Sequence, residues 1–516
     1  MANLLTDYIQ GKADLLSHYA RSIDSLAETV PGSVSWPAGV VEGIKKYHQA
    51  LGGAPELKGN EAVIITGQQP GIFTGPLYSI YKAITAIKLA ENLSKKQDRP
   101  YVPVFWLGTE DHDFDEAASV YYLSKHLTAS KLTYACESLS DNLPMHEVPI
   151  DDELRNLIDE VMNETQGSEY REIITAHLFE TLNESDSLGD WVGRLLSRLF
   201  QDTPLVLFAP HIPEARRASA FIIEKAIREP LECTRLINEA GEQMAAKGYP
   251  QQVEKSADEC AFFMLEGTQR CKVTWAKGNF QLPEVKKSYT EEELLVILAD
   301  DPERFSPNVA LRCVVQQVLF PVEAYVAGPG ELAYWGQFKP VFEWCDVPMP
   351  VVYPRARAVL TNAKLKAMMT THGLSYVDLG QPETTLQDQA LKKVSAHPGR
   401  ETVEESRRTL IKAADELTNQ LSEMDAVAHT MAAKFHDGLN RRLDQIERVL
   451  MRSEEAQLES VRSQIGRLIN ALAPNRKPQE RMMCVYSYLG EHGWGLIDTL
   501  HENLDIESFE LNEIEL

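Results

Sequence analysis

The chain has 516 residues, of which 51 are Lys or Arg and 76 are Asp or Glu, so that its formal net charge is −25. A strongly acidic protein is repelled by the phosphates of nucleic acids and anionic membranes, which argues against bulk binding to either. No apolar run reaches the roughly 18 residues of a membrane span, and the N-terminus lacks a signal-peptide pattern, so a cytoplasmic protein is expected.

The first predicted α/β unit spans Val63 to Leu93. An apolar strand, VIIT, precedes the glycine-rich loop GQQPGIFTGP at 67–76 and then a segment with apolar residues at helical spacing. A second apolar run, VPVFWL at 102–107, leads into the acidic loop GTEDHDFDE at 108–116. In both cases a buried strand ends in a polar loop.

Three later segments continue this pattern: PLVLFAP at 204–210, FPVEAYVAGPGELAYW at 320–335 and VPMPVVYPR at 347–355. Strands alternating with helices predict an α/β fold with a Rossmann-like parallel sheet, in which ligands bind outside the carboxyl ends of the strands. Two regions interrupt the pattern and are interpreted as insertions, at about 117–200 and 255–290.

A coiled coil is predicted between Glu401 and Leu472, where the chain has no proline. Apolar residues recur at spacings of three and four over several heptads. Asp425 is placed to cap a second helix, so that two α-helices form an antiparallel hairpin. The predicted domains are a core at 1–383, a coiled coil at 384–474 and a C-terminal segment at 475–516 that packs back on the core.

The glycine-rich loop lies between a strand and a helix, where backbone N–H groups and the positive end of the helix dipole favour phosphate. It is neither a Walker motif nor a GxGxxG fingerprint, so spacing alone favours a nucleotide loop and a structural turn about equally. The glutamine amides favour binding, and Lys82 either reaches a phosphate or is a solvated helix lysine. The candidate ligand residues are Thr66, Gly67, Gln68, Gln69, Gly71, Gly75 and Lys82.

The acidic loop places five acids around one histidine. Carboxylates so close raise one another's pKa and stabilise a protonated histidine. General acid or base catalysis, recognition of an amine and Mg²⁺ binding through water all fit the pattern, and a solvated helix-capping turn is the alternative. The catalytic candidates are Glu110, Asp111 and His112. The seven cysteines are scattered, so neither a structural metal site nor a thiol nucleophile is predicted.

Later loops supply weaker candidates. A glycine turn after the 320–327 strand permits close approach of a ligand, or else reverses the chain beside a core aromatic pair; its candidates are Gly328, Gly330, Glu331, Tyr334 and Trp335. Arg355 follows the last strand and is a candidate for an anionic substrate. A basic segment after the coiled coil either forms a second nucleotide site or neutralises a helix end; its candidates are Asn475, Lys477 and Arg481.

Four ordered motifs together resemble one known family. They are TGQQPGIFTGPLYSIYKAI at 66–84, VPVFWLGTEDHDFDE at 102–116, VAGPGELAYW at 326–335 and a coiled coil ending in PNRKPQER at 474–481. The combination is similar to the BshC-type cysteine ligases of bacillithiol biosynthesis and covers essentially the whole chain. The resemblance implies a Rossmann-like core related to class I aminoacyl-tRNA synthetases, with connecting-peptide insertions and a coiled coil used for dimerisation.

The resemblance also implies an activity, that of an ATP-dependent ligase with Mg²⁺ that adds cysteine to the amino group of glucosaminyl-malate in the last step of bacillithiol biosynthesis. The implied partners are these small molecules and a second copy of the chain, with neither nucleic acid nor membrane. The sequence lacks the HIGH and KMSKS motifs with which the synthetases stabilise adenylate formation. A catalytically degenerate nucleotide-binding scaffold, assembled through its coiled coil, is therefore the alternative.

Overall fold

The computed structural model describes residues 3–27, 35–394 and 399–516. The chain forms two compact units. The first runs to Leu360 and also contains residues 479–514 and Leu516, whereas the second contains residues 361–478 and Glu515. The second unit begins at Thr361, whereas the predicted coiled-coil domain begins at 384. The range expected for the coiled coil also includes residues 395–398, which lie outside the described residues.

The strands are listed first, because they define the sheets. In chain order they are β1 (Ala62–Gln68), β2 (Tyr101–Leu107), β3 (Ser119–Leu123), β4 (Ala129–Thr133), β5 (Val206–Phe208), β6 (Glu259–Glu266), β7 (Gln269–Ala276), β8 (Asn279–Leu282), β9 (Lys287–Tyr289), β10 (Phe305–Pro307), β11 (Val322–Ala327), β12 (Val351–Pro354), β13 (Arg357–Thr361) and β14 (Leu511–Glu515).

The α-helices alternate with these strands in the first unit and dominate the second. In chain order they are α1 (Leu4–Ile9), α2 (Ala13–Leu16), α3 (Val40–Ala50), α4 (Tyr78–Gln97), α5 (Phe114–Ala117), α6 (Asp152–Glu164), α7 (Arg171–Asn183), α8 (Leu188–Leu199), α9 (Pro213–Arg228), α10 (Glu232–Ala246), α11 (Glu291–Asp300), α12 (Val309–Leu319), α13 (Pro329–Trp344), α14 (Ala363–His372), α15 (Glu383–Val394), α16 (Gly399–Ser422), α17 (Ala426–Leu472), α18 (Tyr486–His492) and α19 (Gly495–Asn503). No helix among the described residues is both long and apolar enough to cross a bilayer.

A five-stranded parallel sheet with the order β12-β11-β1-β2-β5 forms the centre of the first unit. Successive side chains of β1 enter different cores, with Ile64 in one and Val63 and Ile65 in the other. Both faces of the sheet are therefore covered, which explains why its strands read as continuous apolar runs. The predicted Rossmann-like α/β fold is confirmed, and its loops after β1, β2, β11 and β12 share one edge.

Both predicted insertions contain antiparallel strands. The first begins with the hairpin of β3 and β4 and continues with α6, α7 and α8. The second belongs to an antiparallel sheet with the order β10-β6-β7-β8-β9. The strand of this sheet that comes last in the sequence, β10, is separated by a single residue from the first residue of α12. The chain therefore runs directly from the antiparallel sheet into this helix.

The second unit contains the predicted helical hairpin. Oδ1 of Asp425 accepts hydrogen bonds from the N–H groups of Val427 at 2.7 Å and Ala428 at 2.9 Å, which caps the start of α17. Arg407 of α16 donates to Asp444 of α17 at 2.8 Å, as expected for antiparallel neighbours. α17 has 47 residues and is therefore about 70 Å long.

The C-terminal segment returns to the first unit. The side chain of Gln479 accepts a hydrogen bond from the N–H of Leu360 at 2.8 Å and donates to its carbonyl at 2.9 Å. Nζ of Lys88, on α4, donates to the carbonyl oxygens of His501 at 2.6 Å and Leu504 at 2.8 Å. Residues far apart in the sequence thus complete the same core.

Candidate functional site

A crevice of about 520 Å³ lies at the carboxyl edge of the parallel sheet. The ends of β1, β2 and β11 border it, and the inserted antiparallel sheet contributes Phe263 and Arg270. The candidates from the sequence that line it are Gly67, Gln68, Gln69, Lys82, Glu110, Asp111, His112, Gly328, Gly330, Glu331, Tyr334, Arg355 and Arg481. Residues from several distant motifs therefore converge on one cavity.

Lys82 and Glu331 form a buried ion pair in the crevice. Nζ of Lys82 lies 2.6 Å from Oε2 of Glu331 and donates to the Gly67 carbonyl at 2.8 Å. Glu331 also accepts hydrogen bonds from Tyr325 at 2.5 Å and from the Gly328 N–H at 2.7 Å. Burial alone would raise the pKa of Glu331, but the Lys82 charge and these bonds hold that pKa below its usual value. Lys82 is thus neither solvated nor free for phosphate.

Arg355 is fixed by a second buried ion pair. Its Nη2 donates to Oε1 of Glu480 at 2.7 Å, and Oε2 of Glu480 accepts from the N–H of Ala358 at 3.1 Å. The guanidinium carbon lies 5.7 Å from the centroid of the Tyr78 ring. Arg355 therefore borders the crevice with its charge already compensated by the returning C-terminal segment.

Glu110 is held in a third buried ion pair, with Arg216 of α9. Beside it, Oγ1 of Thr109 lies 2.8 Å from Nδ1 of His211. The His211 ring stacks on that of His146 with 4.5 Å between centroids. Burial lowers the pKa of both histidines, that of His211 to about 3. The role expected for Glu110 is therefore corrected: this carboxylate anchors the acidic loop and is not placed to take a proton.

Asp111 and His112 face the crevice with defined partners. Oδ2 of Asp111 accepts from Nε2 of Gln69 at 2.5 Å, and its Oδ1 accepts from the His112 backbone N–H at 2.7 Å. Nη1 of Arg270 lies 2.9 Å from Nδ1 of His112. A guanidinium can only donate, so Nδ1 accepts and the proton of the neutral ring is on Nε2.

This contact overturns the expectation of a stabilised imidazolium. Burial and the Arg270 charge lower the pKa of His112, although Asp111 and Asp113 oppose them. The acidic neighbours are visible in the sequence, whereas the guanidinium comes from β7 and is brought to the ring only by the fold. His112 is thus a neutral hydrogen-bond donor through Nε2–H.

Glu116 is the only one of the four crevice carboxylates that has no ion pair within the part of the chain that the structure describes. Desolvation raises the pKa of its carboxyl, and the charges of Asp113 and Asp111 raise it further. Burial also raises the pKa of the neighbouring Tyr78 to about 12. A carboxylate with a raised pKa and no cationic partner is suited to accept a proton.

The crevice carries an excess of cationic residues in an acidic protein. Six Lys or Arg and four Asp or Glu line it, whereas the net charge of the chain is −25. Among the described residues, the crevice cations that form no salt bridge are Arg312 and Arg481. A concave surface with this charge attracts anionic ligands.

Most of the glycine-rich loop, from Pro70 to Gly75, is buried in the protein. Gly71 is buried, and Gly75 adopts a φ of 71° where the chain turns into α4. The N–H of Leu77, at the start of that helix, donates to the carbonyl of Met483 at 2.7 Å. The expected phosphate site is therefore corrected: the C-terminal segment covers this helix start, and only the first three loop residues border the crevice.

Two other candidates have structural roles. Oγ1 of Thr66 donates to the carbonyl of Val326 at 2.9 Å and so joins β1 to β11. Trp335 is fully buried, and its ring centroid lies 4.7 Å from that of Tyr325. These contacts correct their assignment as ligand-binding residues: Trp335 is a core residue whose aromatic partner is Tyr325, whereas Tyr334 lines the crevice.

The residues of the basic segment are divided between the two units. Arg481 belongs to the first unit and borders the crevice. Asn475 and Lys477 are exposed residues of the second unit. Glu480 is directed into the first unit by its contact with Arg355, so the motif combines a structural anchor with one crevice cation.

Many residues that line the crevice are not among the candidates predicted from the sequence. The residues concerned are Tyr78, Trp106, Glu116, Gln252, Lys255, Phe263, Arg270, Asn308, Arg312 and Tyr325. Arg270 and Arg312 carry a weak signal, since each is a charged residue with apolar neighbours in a strand or helix. Tyr78, Trp106, Glu116 and Tyr325 lie within the motif segments but were not singled out there, whereas Gln252, Lys255, Phe263 and Asn308 belong to no motif.

Comparison with known proteins supplies the family context. Residues 2–356 match the family model for the bacillithiol biosynthesis BshC N-terminal Rossmann-like domain, and residues 358–516 match the BshC C-terminal coiled-coil domain. A "Putative cysteine ligase BshC" from Salinibacter ruber is 31% identical over 86% of this chain and 80% of its own. Proteins of the same name from Desulforamulus reducens and Lysinibacillus sphaericus are each 30% identical, over 91% and 87% of this chain and 88% and 84% of theirs.

Proposed function

The chain belongs to the bacillithiol biosynthesis BshC family, and from this premise we propose that it is a ligase that joins cysteine to the amino group of glucosaminyl-malate. ATP, as its Mg²⁺ complex, would activate the cysteine carboxylate. The amine then attacks the activated carboxyl carbon, an amide bond forms, and the leaving group departs as AMP or phosphate. The products are bacillithiol with either AMP and pyrophosphate or ADP and phosphate.

The observation that carries this proposal is the cationic crevice at the carboxyl edge of the sheet. ATP and glucosaminyl-malate are anionic and cysteine carries a carboxylate, and the crevice holds six basic residues in an otherwise acidic protein. Gly67, Gly108 and Gly328 border it and allow a ligand to approach the backbone. A polar crevice at this edge is the usual ligand site of such folds.

The proposal gives separate roles to the side chains of the acidic loop. Glu116 accepts the proton that the attacking amine loses, because its carboxylate has a raised pKa and forms no ion pair with any residue that the structure describes. Nε2–H of His112 donates to an oxygen of the substrate, and Asp111 orients the amine. Glu110 holds the loop through Arg216.

The decisive experiment incubates the purified chain with cysteine, glucosaminyl-malate and Mg-ATP and follows the thiol product by mass. Each substrate is omitted in turn, and chromatography of the nucleotide distinguishes AMP from ADP. We expect product only in the complete mixture. If the folded wild-type protein makes no product, and so cannot be distinguished from the Glu116→Gln variant, the scaffold alternative is favoured.

We also propose that the chain acts as a homodimer through its helical hairpin. Val427, Met431 and Phe435 lie at spacings of four on α17, and their exposed fractions are 72%, 68% and 60%. Such spacing puts large apolar side chains on one helix face, which a second copy of the chain would cover.

A further inference from the structure

We infer that the start of α12 is a carboxylate-binding site, built by Asn308 and Arg312, that holds the malate carboxylate of the acceptor substrate. Neither residue belongs to a sequence motif, and both border the crevice. The inference rests on the proposed ligase function for the identity of the acceptor. It rests on the structure alone for the chemistry of the site.

Asn308 provides the first observation. It is the N-cap of α12, and its Oδ1 accepts hydrogen bonds from the N–H groups of Ala310 and Leu311, both at 3.1 Å. Only 2% of the residue is exposed, and its Nδ2 has no hydrogen-bond partner among the described residues. Buried N–H groups are normally paired, because an unpaired one loses its bonds to water. A ligand oxygen in the crevice would supply the missing acceptor.

Arg312 provides the second observation. It is in the first turn of the same helix, four residues after Asn308, and both residues line the crevice. Its guanidinium carbon is 5.8 Å from the Trp106 ring and 5.9 Å from the Tyr325 ring. It donates hydrogen bonds to Gln316 and to the Cys313 sulfur, which are both neutral acceptors. Among the described residues no carboxylate neutralises it.

The amount of charge favours a carboxylate over a polyphosphate. Arg312 contributes one positive charge, the helix start adds about half a charge, and the Asn308 amide is neutral. This matches one negative charge, and a planar guanidinium pairs with a carboxylate through two parallel hydrogen bonds. Lys82 and Arg355 do not enlarge the site, since Glu331 and Glu480 compensate them.

The acceptor is the better source of this carboxylate. In the proposed reaction the cysteine carboxylate must attack ATP, and a guanidinium bound to both of its oxygens would oppose that step. The malate carboxylates of the acceptor do not react. A site that holds one of them would position the sugar amine for attack without taking part in the chemistry.

The experiment measures binding by calorimetry without turnover. Three probes are used: glucosaminyl-malate, methyl glucosaminide, which has the amine but no carboxylate, and Mg-ATP. We expect Arg312→Gln to weaken glucosaminyl-malate about 10- to 100-fold and Asn308→Ser, which keeps a helix cap, about tenfold. The binding of the other two probes should change less than about twofold.

Matched variants separate this role from a general structural effect. Asn362 caps α14 as Asn308 caps α12, accepting from the Leu365 N–H at 3.0 Å, so Asn362→Ser should leave all three affinities unchanged. Arg312→Lys keeps the charge but not the paired hydrogen bonds and should give an intermediate loss. It also provides a test if Arg312→Gln does not fold.

The possible results are distinct. If Arg312→Gln weakens Mg-ATP and leaves glucosaminyl-malate unchanged, the site holds phosphate and the inference is overturned. Equal losses for glucosaminyl-malate and methyl glucosaminide also overturn it. If the wild type binds the acceptor through Arg312 but makes no bacillithiol, the inference stands and the ligase proposal fails. If bacillithiol forms and the Arg312 and Asn308 variants bind glucosaminyl-malate as tightly as the wild type, the ligase proposal stands and the inferred carboxylate site is wrong.

Discussion

Arg270 donates a hydrogen bond from Nη1 to Nδ1 of His112 over 2.9 Å. The guanidinium is itself held by the Ser306 hydroxyl at 2.9 Å and the Pro307 carbonyl at 3.1 Å, and it lies 3.7 Å from the Phe263 ring centroid. The inserted sheet thus fixes both the orientation and the protonation state of a histidine at the end of β2. In this way a residue from an insertion controls the chemistry of the central fold.

Replacing Arg270 should therefore change the titration of His112. In Arg270→Gln the repelling charge is gone while Asp111 and Asp113 remain, so the pKa of His112 should rise from its lowered value. We expect kcat/KM to fall about 10- to 100-fold, because the ring is no longer oriented. Histidine ring NMR across pH 5 to 8 measures the pKa shift. Arg270→Lys keeps the charge and should shift the pKa less; an unchanged His112 titration in both variants would contradict this account.

Glu116→Gln should reduce kcat by about 10² to 10⁴ if this carboxylate is the general base. The base must be ionised, so wild-type activity should fall as the pH drops through its raised pKa, which lies above the ordinary value of 4.5. The variant should lose this acidic limb of the pH–rate profile. Asp115→Asn, one position away, is the matched control and should keep both rate and profile.

The Glu110–Arg216 pair predicts a stability effect. Glu110→Ala leaves the Arg216 charge buried without a partner, which should lower the free energy of unfolding by about 3–5 kcal/mol. Urea unfolding followed by tryptophan fluorescence measures it. The surface pair of Arg217 and Glu303, at 2.9 Å, is the control, and Glu303→Gln should cost less than about 1 kcal/mol. Similar losses in the two variants would exclude a special role for the buried pair.

We expect the buried His48 to contribute to the loss of folding stability at acidic pH. Its Nε2 accepts from the Leu207 N–H at 2.8 Å, and burial lowers its pKa from 6.5 to about 4. Because the neutral form is favoured in the folded state, this stability is complete above pH 6.5 and is lost as the pH falls toward 4. The shift corresponds to roughly 3 kcal/mol.

His48→Gln, which keeps an acceptor, should therefore lose less stability than the wild type between pH 7 and pH 4.5. Urea midpoints at the two pH values provide the comparison. His126 is exposed, so His126→Gln should behave like the wild type. Equal acid losses in all three proteins would show that His48 does not contribute.

The proposed dimer predicts a change of mass in solution. Met431→Glu with Phe435→Glu puts two charges on the exposed apolar face of α17, and the protein should shift from dimer to monomer at micromolar concentration. Light scattering after size-exclusion chromatography measures the mass. Asp437→Asn, on another side of the helix, should remain dimeric. A monomeric wild type would refute the proposal directly.

The elements that can be predicted best from the sequence are those whose formation depends on neighbouring residues. The VIIT run predicts β1 because a strand covered on both faces must be apolar, and Asp425 predicts the start of α17 because a cap acts within three residues. Lys82 and Glu480 are different, since their partners lie hundreds of positions away or in another motif. Polarity suggests that such residues bind ligands, whereas the fold pairs Lys82 with Glu331 and Glu480 with Arg355. Arg312 is the opposite case, in which an apolar context conceals a crevice residue.

The return of residues 479–514 to the first unit has a consequence for biosynthesis. Gln479 forms hydrogen bonds with Leu360, and the carbonyls of His501 and Leu504 accept hydrogen bonds from Lys88, so the central core lacks these partners until residues 479–504 are made. During translation the chain between Thr361 and Pro478 must leave the ribosome first. The Rossmann-like unit is therefore expected to complete its folding only after residues 479–514 have been synthesised, and truncation after α17 should yield aggregation-prone protein.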